Sequence, residues 1–165
     1  MRKIRFIQVC SLAVLAAGSY TLAATASRSL VLVQDGRANA TIVLSAKPRA
    51  AAQLAAFDLQ HYLQKISGAK VPIVREPARV EGNRILVGHS KSTEKLGYHN
   101  KDFAEQEYTI KTFPTTLLLM GYDGEELADV RYEDYGSLYK AASGPIASCY
   151  AVHAFLEKIL FNRSA

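Results

Sequence analysis

The chain has 165 residues, of which 49 % are hydrophobic and 21 % charged, and a formal net charge of +5. That length and apolar content suit one domain with a substantial core and leave no room for a second. Most of the positive charge is local, and no block of Lys and Arg with interleaved aromatics occurs, which argues against a nucleic-acid-binding face.

Arg2, Lys3 and Arg5 precede an apolar run from Phe6 to Ala17 and a small-residue stretch ending in Ala24-Thr25-Ala26. This pattern predicts a secretory signal peptide over residues 1–26, cleaved near Ser27, and an exported chain, periplasmic or extracellular. The apolar run is shorter than the roughly 20 residues a spanning helix needs, so no stable membrane anchor is expected after cleavage. Removing the leader takes three basic residues and lowers the formal charge from +5 to +2. It also takes Cys10, leaving Cys149 alone, so no intramolecular disulfide is available. Cys149 is expected to be a small buried hydrophobe.

Leu30–Val33 and Ala40–Leu44 are β-rich runs separated by Asp35-Gly36 and read as a hairpin or two adjacent strands. Pro48 opens a helix to Ser67, with Ala51, Ala55, Leu59, Tyr62, Leu63 and Ile66 on one face and Gly68 as its left-handed cap. Val71–Val74 is a short strand, placed at an edge or strand start by Pro72. Arg84–Gly88 is apolar enough for a central strand. Ser90–Gly97 reads as a capped helical turn. Glu107–Lys111 and Thr115–Met120, divided by Phe113-Pro114, read as a second hairpin. From Gly121 to Ser148 no period is clear, and a long polar loop with a short helix near Glu125–Val130 is expected. Gly144-Pro145 then precedes a last helix with Val152, Phe155, Leu156, Ile159 and Leu160 on one side and His153, Glu157 and Lys158 on the other. This order predicts an α+β fold with a mixed or mostly antiparallel sheet and two main helices packed on it.

Residues with catalytic chemistry are few. Asp123, Glu125, Glu126, Glu133 and Asp134 are the carboxylates from which a glycosidase pair would be drawn, but a polar loop would keep them solvated and ordinary, whereas such a pair needs differently tuned environments. Gly88-His89-Ser90-Lys91-Ser92 begins like a nucleophile elbow and lacks its closing glycine. His61, His89, His99 and His153 form no His-x3-His pair, and no metal or cofactor is expected. Tyr122, Tyr132, Tyr135 and Tyr139 are the candidates for carbohydrate or partner contact, because tyrosine stacks on sugar faces and hydrogen-bonds at its tip.

The segments Ala55–Gly68, Val71-Pro72-Ile73, Ile85–Ser90, Glu107–Ile110, Leu117–Gly121 and Tyr150–Glu157, in this order, resemble the N-terminal domain of bacterial α-glucuronidases. They are also similar to the second domain of β-N-acetylhexosaminidases. The resemblance covers about residues 28–163. It implies a non-catalytic domain over 27–160 in front of a (β/α)8 barrel that holds the catalytic carboxylates. That barrel is the implied partner, missing from this chain or separately encoded, with polysaccharide as a further partner and xylan degradation as the context. It makes the last helix the barrel-docking element through Tyr150, Phe155, Leu156 and Leu160. Residues 161–165 match the family's barrel junction only at Arg163, and read as a truncated junction. The alternative is a stand-alone carbohydrate-binding or protein-interaction module.

Overall fold

The computed structural model describes residues 30–161. The expected leader and the junction beyond Phe161 lie outside the described residues. Two short strands, β1 (Val33–Gln34) and β2 (Arg37–Ala38), pair antiparallel around Asp35-Gly36. A five-stranded sheet follows, built from β3 (Ala40–Leu44), β4 (Ile73–Arg75), β5 (Asn83–Val87), β6 (Tyr108–Phe113) and β7 (Thr116–Gly121). Its order is β4-β3-β5-β7-β6. Four strands run parallel and β6 alone is antiparallel, hairpinned onto β7. Helices α1 (Ala50–Ser67) and α4 (Ala147–Phe161) cover one face, with the shorter α2 (Lys91–Lys95) and α3 (Tyr135–Ala141) in the connections. The fold is α+β with a mixed sheet, as expected from the sequence.

Within that class, parallel pairing predominates. Leu30–Val33 does not pair along Ala40–Leu44; the first hairpin is only two residues deep, and β3 lies between β4 and β5 instead. The reason is the long α1, which carries the chain back to the starting edge so that β4 enters parallel to β3. Pro72 precedes the edge strand β4, and β5 is central, both as the sequence suggests.

Period-two alternation divides the strands between two cores. Ile42, Leu44, Ile85, Val87, Leu117 and Leu119 face Leu59 and Leu63 of α1 and Val152, Phe155, Leu156 and Ile159 of α4. Val43, Leu86, Leu118 and Met120 point the other way, under a thinner cover of Val80, Tyr98, Phe103 and Phe113. Cys149 is buried in the first core, and burial pushes its thiol well above the ordinary range, which leaves it an inert hydrophobe.

Helix α1 meets the sheet through Ala52, Ala55 and Ala56, all buried. Tyr62, grouped by periodicity with the core face, is 43 % exposed at its margin. Gly68 ends the helix at φ 78°, its N–H donating to the Gln64 carbonyl. At its other end Arg49 supplies no side-chain cap; the Ala50 N–H donates to the Glu126 carbonyl, 2.7 Å away. Buried Gln53 donates to the carbonyls of Pro48 and Ala128 and accepts from the Val130 N–H. These bonds engage the backbone of residues 126–130 away from any helical ladder, and the helix expected there does not form. It forms later, at α3, where Asp134 accepts from the Gly136 N–H. Among the described residues no helix is long and apolar enough to cross a membrane.

The close approach of α1 depends on Gly88. A Cβ there would lie 2.5 Å from that of Ala52, and its φ of +69° disfavours side chains independently. Gly88→Ala is therefore expected to lower unfolding free energy by about 2–4 kcal/mol, as a fall in urea midpoint at unchanged slope.

Candidate functional site

All four parallel strands end at one edge of the sheet. From β3 the chain turns outward through α1 to β4, while β5 and β7 lie on the other side of β3, so the connections diverge between the carboxyl ends of β3 and β5. In open parallel sheets such a divergence leaves a crevice where ligands commonly bind. A cleft of about 440 Å³ lies there, lined by Ser45–Lys47 and Arg49 after β3, Glu76-Pro77 after β4, His89–Lys91 and Glu94 after β5, and Leu127.

The walls are held by hydrogen bonds within α2's first turn and between it and Glu76. Ser90 caps α2: its Oγ accepts from the Thr93 N–H at 3.3 Å, and its own N–H donates to Thr93 Oγ1 at 3.0 Å. Glu76 crosses the cleft floor to accept from the N–H groups of Lys91 and Ser92, at 3.1 and 2.9 Å, and from the Ser92 hydroxyl. Partial burial pushes the Glu76 carboxyl up, but the bonds from Ser92 and Lys91 outweigh it and hold the group below its ordinary value. His89 Nε2 lies 3.1 Å from Glu94 Oε1.

Asp123, just past β7, is fully buried. Its Oδ1 accepts from the Ser148 N–H at 2.9 Å and its Oδ2 from the Ser148 hydroxyl at 2.6 Å, at the start of α4. Its carbonyl accepts from the Arg49 guanidinium and from Asn100 Nδ2, and its N–H donates to Asn100 Oδ1. Burial raises its carboxyl to about 6 against the lowering effect of the Ser148 bonds and Arg49. The sequence reading of Asp123 as a solvated, ordinary carboxylate is thus corrected: the apolar strand end carries it inside. Glu125, Glu126, Glu133 and Asp134 are exposed. The Asp123 carboxyl is engaged in capping α4.

The four tyrosines separate. Tyr132 is half-buried, its hydroxyl donating to Asp58 Oδ1 at 3.0 Å and its ring packing 6.1 Å from Phe57 and 5.6 Å from His61. Burial and the Asp58 carboxylate raise its hydroxyl to about 12. His153 Nε2 lies 3.0 Å from the other Asp58 oxygen. Tyr122 is half-buried, whereas Tyr135 and Tyr139 are 80 % and 68 % exposed and stack on each other at 6.5 Å. On α4, Phe155 and Leu156 are buried in the chain's own core, and Tyr150 and Leu160 are exposed. The helix face that periodicity singles out is satisfied largely within this fold.

The structure also brings together His89, Glu94 and His99, whose donor atoms all lie within 4.8 Å of one another. No motif marks them, because a helical turn and then a tight turn separate them, and the three share no helix face. No protein-family model matches the chain, and no curated protein matches it either.

The raised Asp123 carboxyl has a signed consequence. The folded state holds this proton from the ordinary 3.8 up to about 6, so the stabilisation it contributes is complete below the lower value and lost as pH rises through the upper one. The unfolding free energy of the wild type relative to Asp123→Asn is expected to fall by roughly 2–3 kcal/mol between about pH 4 and 6.5. A difference that stays flat across denaturation curves in that window would show that the carboxyl is not buried as described.

Proposed function

We propose that this chain is a non-catalytic accessory domain of an exported, α-glucuronidase-like glycoside hydrolase, working beside a (β/α)8 barrel that carries out the chemistry on polysaccharide. The observation that carries the reading is where the resembling segments lie. They are the end of α1 with Gly68, the edge strand β4, the central strand β5, the β6–β7 hairpin and α4, that is, four of the five strands of the sheet and its helical cover. A resemblance spread over most of the framework is more specific than one at a single turn. The use of Asp123 as a cap and the exposure of the other four carboxylates support a non-catalytic role.

In this reading Phe155 and Leu156 support α4 from inside, and Tyr150 and Leu160 supply its barrel contact. The purified chain is expected to release no product from aryl α-glucuronides or aryl N-acetylhexosaminides; turnover would overturn the non-catalytic role. Added to an α-glucuronidase barrel stripped of its own leading domain, the chain is expected to raise the barrel's melting temperature. Tyr150→Ala with Leu160→Ala should remove that rise, and its absence with the wild-type chain would count against the accessory role.

The exposed, mutually stacked Tyr135 and Tyr139 favour a second reading, a carbohydrate-binding module. Calorimetric titration with xylan or chitin oligosaccharides would then show binding that Tyr135→Ala and Tyr139→Ala each weaken by roughly 1 kcal/mol or more. A flat titration removes it.

A further inference from the structure

We propose that His89, Glu94 and His99 bind one transition-metal dication of the zinc class at the mouth of the cleft. The inference does not rest on the glycosidase reading. It rests on donor chemistry, spacing and scaffold.

Two imidazoles and one carboxylate make a donor set suited to a borderline dication, with one coordination position left open. An all-oxygen cation such as calcium or magnesium would find too few oxygens in these three side chains. Around a tetrahedral zinc with bonds of about 2.0–2.1 Å, donor atoms stand roughly 3.3–3.4 Å apart. His89 Nε2 and Glu94 Oε1, at 3.1 Å, are already near that separation. The His89 and His99 rings lie 6.4 Å apart at 42°. With all donors inside 4.8 Å, the remaining closure is about 1.5 Å, within reach of side-chain torsions.

The scaffold is fixed from beneath. His89 follows the left-handed turn at Gly88, and Glu94 sits on α2, secured by the buried Ser90–Thr93 cap. The His99 N–H donates to Asp102 Oδ2, and the next residue, buried Asn100, is bonded to Asp123 on both sides of its amide. The three α-carbons are therefore held by buried groups while their side chains reach the surface. Such an arrangement lets ligands converge without deforming the fold. His89 and Glu94 line the cleft, so the fourth position would be taken by water or by an oxygen of a molecule bound there.

The competing account is a surface ion pair, His89 with Glu94, that His99 merely approaches. His99→Ala separates the two, because it leaves that pair untouched. Calorimetry on untagged chain near neutral pH is expected to show one equivalent of zinc, with affinity falling at least tenfold in His99→Ala and in Glu94→Gln, and unchanged in His61→Gln. Circular dichroism of the metal-free variants, matching the wild type, assigns the loss to the ligands rather than to the fold. Cobalt(II) titration should give the visible absorption of a low-coordinate nitrogen–oxygen site in the wild type and in His61→Gln, and lose it in His99→Ala and Glu94→Gln. No zinc uptake by the wild type, or equal uptake by His99→Ala, would overturn the proposal.

Discussion

Asp123 ties together four parts of the chain that are far apart in sequence. Its carboxylate caps α4, its carbonyl receives the side chain that begins α1, and its amide is matched on both sides by Asn100. These bonds converge on a residue with no exposure, where an unmet polar group would cost about 1–3 kcal/mol. Displacing the end of β7 would therefore disturb both covering helices and the segment that carries His99. Conversely, the packing of α1 and α4 over the sheet keeps water from Asp123 and holds its proton above the ordinary range.

Close approach is the second half of that constraint. The alanines of α1 let its axis lie near the sheet, and Gly88 and Gly121 leave room for Ala52 and Ala147 at the strand ends. Small residues at these contacts give up side-chain contact area but allow short bonds at the helix starts. The result places helix N-termini, strand C-termini and the cleft at one edge.

Features governed by neighbours in sequence were legible before the structure. Gly68 as a left-handed cap, Ser90 as the start of a helical turn, the β6–β7 hairpin and the central burial of β5 all follow from patterns within a few residues. Features set across long separations were not. Whether Ala40–Leu44 pairs with its neighbour or with Ile73–Arg75 depends on where α1 returns the chain, which no local signal states. The region 125–130 has helical composition but gives up its backbone groups to Ala50 and Gln53, more than 70 residues away in sequence. Asp123 reads as solvated because its flanking residues are polar, and its burial comes from α1 and α4. The grouping of His89, Glu94 and His99 likewise arises from two successive turns rather than from a repeat.

The parallel-strand edge would, in many α/β enzymes, present groups for chemistry, and here much of its polar equipment is internally committed. Glu76 holds the start of α2, Asp123 that of α4, and Arg49 is bonded to the Asp123 carbonyl. A carboxylate fixed by several donors is a poor general base, because those donors stabilise its charged form. Asp123 has the raised proton affinity of an acid but no exposure through which to deliver the proton. The other charged or titratable groups that line the cleft are the His89 imidazole, the Glu94 carboxylate and the ammonium groups of Lys47 and Lys91. The proposed accessory role and the proposed metal site are compatible in one domain: the bonds that commit Glu76 and Asp123 also fix the segments from which His89, Glu94 and His99 project.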